Sequence, residues 1–292
     1  MLHSFFGSIS LLSAVVVVWL FELNIRVLSP GAYAKSRWTY GVLTLALSSC
    51  FLWIGMTGSS GSAGLAFALA ALFFGLRALE QERNLDAPGF AVFAATAVYL
   101  WIDLATLLVL PMLALLLELG RRRQWAWAAS VVLLFSAVLG VLAYLDNWRL
   151  YLAPIWLDWS VFNFFKSTFV RGGMVDSNTL PNIAYLFFLL VHPGYCMTLP
   201  ALFLLFKKTD VHLYSKRILA LSLLIFLLYQ GGLPMQNLVG LLPGYVFLLL
   251  LLFPAWDRFF AYGMYFFPRL AYALIGLTLL CQILFLSFMI RQ

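Results

Sequence analysis

The sequence predicts an all-α fold, a polytopic transmembrane bundle of about ten helices in a single transmembrane domain that covers residues 1–292. Of the 292 residues, 64% are hydrophobic and 10% are charged, and the mean hydropathy is +0.98. A soluble domain could not bury so much apolar surface. The apolar stretches recur from Phe5 to Met289, and no polar block between them is long enough to fold separately.

The positions of the membrane helices follow from the length of a spanning helix, which is about 20 mostly apolar residues. Segments of that kind lie near 5–22, 40–56, 62–79, 125–145, 181–206, 217–233, 234–254 and 270–290. The stretch 89–119 is too long for one simple span, and Asp103 interrupts it. We therefore expect two short helices there that meet at the far side, which brings the total to about ten crossings.

The basic residues predict the orientation of the helices, because Lys and Arg accumulate in cytoplasmic loops. Most of the eighteen Lys and Arg residues fall in alternate turns on one side: Arg26, Lys35, Arg37, Arg77, Arg83, Arg121, Arg122, Arg123, Lys207, Lys208, Lys216, Arg217, Arg258 and Arg269. That side is predicted to be cytoplasmic, with both termini outside, in a bacterial plasma (inner) membrane. The charges form no continuous basic face, so the expected partners are membrane lipids and not nucleic acid.

The one sizeable hydrophilic segment, residues 146–181, falls on the predicted outer side. Aromatic residues mingle in it with Arg149, Lys166 and Arg171, a mixture that suits the lipid headgroup layer. We expect a short helix lying on the outer membrane surface. The segment is either an interfacial anchor or a lip that receives a lipid-linked phosphate, with Arg149, Lys166 or Arg171 as the counter-charge.

Ionisable groups in membrane segments are costly, and each one is a functional hypothesis. Asp103 either caps the second short helix, which is the favoured interpretation, or serves a function. Glu22 and Glu118 lie at helix ends beside predicted cytoplasmic cations, and solvation explains both. Gln230, Gln236 and Asn237 surround a tight outer turn, where solvation alone would account for their polar side chains.

The second half of the chain contains further polar candidates. His192 lies in LLVHPGYCMTLP, beside Pro193 and Gly194, which break a helix and free backbone carbonyls. His192 therefore either lines a cavity or is a core histidine hydrogen-bonded to a freed carbonyl. Gln236 and Asn237, in the outer turn QGGLPMQN, are candidate cavity-lining groups.

The motifs of several soluble enzyme classes are absent from the sequence. It has no H-E-x-x-H, no P-loop, no dinucleotide-binding glycine fingerprint and no G-x-S-x-G elbow. Its three cysteines, Cys50, Cys196 and Cys281, each lie in an apolar stretch and are expected only to pack. No metal site and no cofactor are therefore expected.

The order of these segments resembles a known family of membrane enzymes. The pieces that carry the likeness are GSAGLAFALAALFFGLR, the short-helix pair closed by GRRR, the outer aromatic segment, LPNIAYLFFLLVHPGY, and GGLPMQNLVGLLPGYVFLLLLLFPAWDRFF. Over essentially its whole length, the chain resembles the GT-C membrane glycosyltransferases of the family 39 type. These are relatives of the protein mannosyltransferases and of the aminoarabinose transferase that acts on lipid A.

The resemblance implies transfer of a sugar from a polyprenyl-phosphate donor on the outer face, with a catalytic Asp, commonly an Asp-Glu pair, in the first outer loop. Helix 5–22 looks like the family's second helix, so the acidic loop has no counterpart in this sequence. Two other family positions also differ: Ser59 to Ser62 replace an acidic residue, and Val239 replaces an Arg. No catalytic residue is identified, and the predicted substrate-binding residues are Arg149, Lys166, Arg171, His192, Gln236 and Asn237.

Three hypotheses remain for the function. The first is a GT-C-like glycosyltransferase whose missing helix is supplied by another chain or encoded upstream. The second is a degenerate, non-catalytic membrane subunit, a pseudoenzyme, that holds a partner chain or a lipid in a larger assembly. The third is a small-solute transporter, which would have an inverted internal repeat and broken helices in matched positions.

Overall fold

The chain is built mainly from helices that run back and forth between two ends of the molecule. The computed structural model describes residues 2–31, 34–57, 60–145, 159–171, 174–192, 195, 213–234, 238–258 and 268–290. The helices of the first half are α1 (Leu2–Leu28), α2 (Ala34–Tyr40), a π-helical turn (Gly41–Ala46), α3 (Ser49–Met56), α4 (Gly61–Glu80), a 3₁₀ turn (Asn84–Asp86), α5 (Ala87–Leu100), α6 (Leu104–Arg121) and α7 (Trp125–Leu145).

The second half combines helices with a small sheet. Its elements are a 3₁₀ turn (Val161–Phe165), β1 (Ser167–Arg171), β2 (Met174–Pro181), α8 (Asn182–Leu186), α9 (Phe188–Val191), α10 (Leu213–Gly231), a second 3₁₀ turn (Leu238–Leu241), α11 (Leu242–Arg258) and α12 (Pro268–Ile290). The fold is therefore predominantly α-helical, with one β-hairpin that the all-α prediction did not include.

Several helices are long and apolar enough to cross a membrane. Among the described residues there are four: Gly61–Glu80, Leu104–Arg121, Trp125–Leu145 and Leu238–Asp257. The pair Arg37–Ala46 and Ser49–Met56, bent by 70° at a short break, makes a fifth if it is one span. These helices indicate a membrane protein, although they are fewer than the predicted total.

Two helices replace the long apolar stretch 89–119, as the sequence predicts. The helix α5 ends at Leu100 and α6 begins at Leu104, with Trp101, Ile102 and Asp103 between them. We call these three residues the hinge. The start of α4 lies beside it, since the Ser60 hydroxyl donates a hydrogen bond to the Leu100 carbonyl at 3.4 Å.

The charged residues collect at the opposite end of the bundle, which we call the charged end. The helices α1 and α4 run in the same direction, because Ser13 contacts Ser62 and the Asn24 amide donates to the Leu69 carbonyl. The end of α4 lies there beside the end of α6, since the Arg122 guanidinium donates to the Ala78 and Leu79 carbonyls. Four ion pairs of the described residues lie at this end: Arg77–Asp86, Arg121–Glu118, Arg122–Glu118 and Arg122–Glu82. A fifth pair, Arg37–Glu22, joins α2 to α1 near Asn24, at the level of the middle of α4.

One of these pairs corrects the interpretation of Glu22 as a solvated helix end. The Glu22 and Arg37 side chains are only 9% and 10% exposed, and Arg37 Nε lies 2.9 Å from Glu22 Oε1. The charge of Glu22 is thus neutralised by a neighbouring helix and not by water. The bridge fixes α2 against α1 before the chain turns back.

The bent span has a polar break in the interior of the protein. The π-helical turn ends at Ala46, and α3 begins at Ser49. The Tyr245 hydroxyl donates to the Thr44 carbonyl at 2.7 Å, and Gln282 Oε1 accepts from both the amide and the hydroxyl of Ser49. Because unsatisfied backbone groups are costly in an apolar interior, these contacts from α11 and α12 stabilise the break.

The described part of the outer segment ends in a β-hairpin, whereas much of the stretch expected to form a short surface helix, residues 146–158, lies outside the described residues. In the described part of the outer segment, β1 pairs antiparallel with β2, with Arg171 opposite Met174. The two residues between that pair are Gly172 and Gly173, a sequence favoured in two-residue hairpin turns. Most aromatic residues of the outer segment precede the hairpin, and those from Trp159 to Phe165 lie in or beside the 3₁₀ turn.

The apolar run after the hairpin is also interrupted. The sequence predicts a helix over 181–206, whereas α8 and α9 are short and α9 ends at Val191. His192 has an extended backbone with φ −66° and ψ 137°. A residue that precedes proline is disfavoured in the α conformation, and Pro193 follows.

Candidate functional site at the hinge

Asp103 lies at the centre of a small polar cluster formed by the hinge and the end of α10. The Trp101 indole Nε1 donates to Asp103 Oδ2 at 3.3 Å. The side chains of Tyr229 and Gln230 lie close enough to the carboxyl group to lower its pKa. We call these four residues, Trp101, Asp103, Tyr229 and Gln230, the Asp103 cluster.

The cluster shows that the favoured interpretation of Asp103 was wrong. The Asp103 side chain makes no capping hydrogen bond to the first turn of α6. The Thr106 hydroxyl instead donates to the Asp103 carbonyl at 2.7 Å. The carboxylate is therefore directed to another helix, α10, which a cap would not require.

Burial differs across the cluster. Gln230 and Tyr229 are buried, with 2% and 5% of their surface exposed, whereas Trp101 and Asp103 are only partly buried. The expectation that Gln230 is solvated at the outer turn was therefore wrong. The arrangement has a buried floor on α10 and a more accessible rim on the hinge.

The surroundings of Asp103 act on the pKa of its carboxyl group in opposite directions. Burial raises the pKa of its carboxyl group, and the interactions with Tyr229, Gln230 and Trp101 counter part of that effect. Among the described residues, no Lys or Arg forms an ion pair with Asp103. A carboxyl group in such surroundings can accept a hydrogen bond or a proton from a hydroxyl group.

The segment 159–182, which we call the docked segment, packs against the same end of α10. The Trp159 indole donates to the Tyr229 carbonyl at 3.2 Å, and the Asn163 amide donates to the Gly232 carbonyl at 2.8 Å. The side-chain amide of Asn182 donates a hydrogen bond to the Leu233 carbonyl at 2.9 Å. The docked segment is thus held from both of its ends beside the Asp103 cluster.

Two glycines make this close docking possible. A β-carbon on Gly231 would lie 2.2 Å from a ring carbon of Phe164, and one on Gly232 would lie 2.2 Å from Trp159 Nε1. No side chain fits at either position. The GG of YQGGLP, noted in the sequence only as a tight turn, is the surface on which the aromatic rings of the docked segment rest.

The predicted substrate-binding residues do not all come together. Lys166 lies exposed on the docked segment, where its backbone carbonyl accepts a hydrogen bond from the backbone N–H of Asn182 at 3.2 Å. Arg171 closes β1, and its side chain lies outside the described residues. Arg149, Gln236 and Asn237 also lie outside the described residues.

His192 occupies a different environment. Its ring packs edge-on against Phe285 with centroids 4.6 Å apart, and it also contacts Phe188 and Tyr195. The Tyr195 hydroxyl donates to the Leu238 carbonyl at 2.6 Å. His192 thus lies in an aromatic layer between α9 and α12, and none of its ring contacts involves a residue of the Asp103 cluster.

Three members of the site were missed from the sequence. Trp101 and Tyr229 were not singled out, and Trp159 was taken only as one of many interfacial aromatics. The sequence feature that could have identified this site is the position of Tyr229 and Gln230, which directly precede a double glycine at the end of a predicted helix. In the part of the chain that the structure describes, no group of His, Cys, Asp and Glu residues could hold a metal ion.

In comparisons with known proteins, the chain matches no family model, no curated protein and no solved structure.

Proposed function

We propose that this chain is a multi-pass plasma-membrane protein that crosses the bilayer about ten times, with the charged end in the cytoplasm. The support is the separation of the two ends. Ion pairs collect where α4 and α6 end, and the hinge end carries the aromatic docked segment. Basic residues are favoured on the cytoplasmic side, and aromatic residues are favoured in the interfacial layer.

We further propose that the hinge end binds a polyprenyl-phosphate-linked sugar, as a GT-C-like glycosyltransferase would. The observation that carries this proposal is the position of the docked segment. It places the exposed cation of Lys166 at the same end of the molecule as the Asp103 carboxylate. A lipid-linked sugar has both a phosphate, which requires a cation, and hydroxyl groups, which suit a carboxylate.

Whether the bound lipid reacts depends on the acidic loop that the resemblance implies. With such a loop beside the hinge end the assembly would be an enzyme, and without one the chain would hold the lipid and not transform it. In the second case the protein is a non-catalytic subunit of a membrane assembly. Both forms of the proposal require the same lipid-binding end.

A transporter is the second candidate, because the break in the bent span and the end of α9 come together inside the bundle. Cys50, just after the break at Ser48, interacts with Tyr195, just after the interruption at His192. However, the oxygen and nitrogen atoms at the break are bonded by Tyr245 and Gln282, not directed at a solute cavity. The contact pattern therefore favours a structural break, and the lipid-binding hypothesis remains the better supported one.

Charge reversal at Lys166 tests the proposal. In reconstituted nanodiscs, Lys166→Glu is expected to weaken binding of farnesyl phosphate about tenfold, since an opposite charge is replaced by a like charge beside the phosphate. Arg269→Glu is the matched control, because Arg269 is also exposed but belongs to α12 and not to the docked segment. Equal affinity of both variants and the unchanged protein would contradict the proposed phosphate contact.

A further inference from the structure

We propose that the Asp103 cluster, together with the Trp159 indole, recognises the hydroxyl groups of a sugar. This inference rests on the proposed function, and it assigns the sugar part of the lipid to residues outside the predicted set. The Asp103 carboxylate would accept hydrogen bonds from sugar hydroxyls, and the indole rings of Trp101 and Trp159 would cover an apolar face of the ring.

The first support is the hydrogen-bonding capacity of the cluster. A carboxylate offers about four acceptor sites, and among the described residues Trp101 Nε1 donates to one of its oxygens while the neutral side chains of Tyr229 and Gln230 lie close by. These neutral neighbours leave acceptor sites on the two oxygens for the hydroxyl groups of a ligand.

The second support is that the buried part of the cluster on α10 is held in a fixed position. Tyr229 and Gln230 are buried on α10, and the backbone directly after them is fixed by hydrogen bonds from Ser160 and Asn163 to the Gly232 carbonyl. Binding sites of small molecules combine such fixed polar groups with aromatic walls. Because these groups are already fixed in place, less conformational entropy is lost when a ligand binds.

The third support is that the residues around the Asp103 carboxyl group are partly accessible to a ligand. Trp159 is 37% exposed although its indole nitrogen is hydrogen-bonded to the Tyr229 carbonyl, and Asp103 and Trp101 are only partly buried. The polar edge of the Trp159 ring is thus used for docking while part of its surface stays open. An amphipathic aromatic ring at the interface suits a ligand with both apolar and polar faces.

The test compares two probes on the full chain in nanodiscs: a farnesyl-phosphate-linked hexose, and farnesyl phosphate without the sugar. The unchanged protein is expected to bind the sugar-bearing probe more tightly. Asp103→Asn should weaken the sugar-bearing probe about tenfold or more and leave farnesyl phosphate unaffected, because only the hydroxyl contacts are lost. Glu82→Gln, the same change at an exposed carboxylate of the charged end, should affect neither probe.

A second, more conservative variant tests the same site in case Asp103→Asn fails to fold. Tyr229→Phe removes one hydroxyl and keeps the ring, and it should reduce only the preference for the sugar-bearing probe. Equal affinity of the unchanged protein for both probes would overturn sugar recognition while leaving phosphate binding intact. Failure of both probes to bind would instead overturn the proposed function itself.

An amino-hexose probe distinguishes the chemistry of the ligand. Recognition of hydroxyl groups predicts that Asp103→Asn weakens the neutral and the amino-hexose probes alike. Weakening of the amino-hexose probe alone would show that the carboxylate selects an ammonium group, and it would overturn the assignment to sugar hydroxyls.

Discussion

Substitution of Gly232 by alanine is expected to displace the docked segment from the end of α10. The new β-carbon would lie 2.2 Å from Nε1 and 2.4 Å from Cε2 of the Trp159 ring, so the ring must move away. That movement breaks the hydrogen bond to the Tyr229 carbonyl. We expect a loss of stability of about 2–4 kcal/mol, measured as the free energy of unfolding in detergent, and faster trypsin cleavage after Lys166.

The matched control is Gly140→Ala. Gly140 lies in α7, and no atom comes within 4 Å of a β-carbon at that position. Alanine there should be neutral or slightly stabilising, because it favours the helix. If Gly232→Ala matched this control in both stability and protease resistance, the described docking would be wrong.

Removal of one partner of the Glu22–Arg37 pair should be the most destabilising change among the ion pairs of the described residues. The pair is almost fully buried, so Glu22→Gln would leave the Arg37 guanidinium without its counter-charge. The expected loss of stability is about 3–5 kcal/mol, measured by chemical unfolding of the protein in detergent micelles.

Two further variants separate this effect from a general change of charge. Arg121→Gln breaks the pair with Glu118, but the Arg121 side chain is 78% exposed, so a loss of only about 0–1 kcal/mol is expected. The double variant Glu22→Leu with Arg37→Met should recover most of the lost stability, since no buried charge remains. An equal effect of Glu22→Gln and Arg121→Gln would argue against the buried pair.

The sequence predicted the elements whose signals are local. The break at Asp103 could be predicted because one carboxylate interrupts an apolar stretch that is too long for a single helix. The direction of its side chain could not, since it depends on contact with Tyr229 and Gln230, more than a hundred residues further along the chain. The same limit applies to Glu22, whose burial depends on the position of α2.

The outer segment illustrates a different limit. Its aromatic residues predicted an interfacial position, but composition alone does not determine backbone conformation. The hairpin between β1 and β2 is favoured by Gly172 and Gly173, a signal that periodicity does not capture. Trp159 joined the site through docking on Gly232, a contact that no local pattern encodes.

The placement of the two ends on opposite sides of the membrane is the claim on which the proposed lipid site depends. Single cysteines at two highly exposed positions, Phe162→Cys at the hinge end and Arg121→Cys at the charged end, test it in a chain whose three native cysteines are replaced by alanine. A membrane-impermeant maleimide added to intact cells should label the first variant and should label the second only after permeabilisation. Labelling of Arg121→Cys on intact cells, with Phe162→Cys protected, would contradict the account.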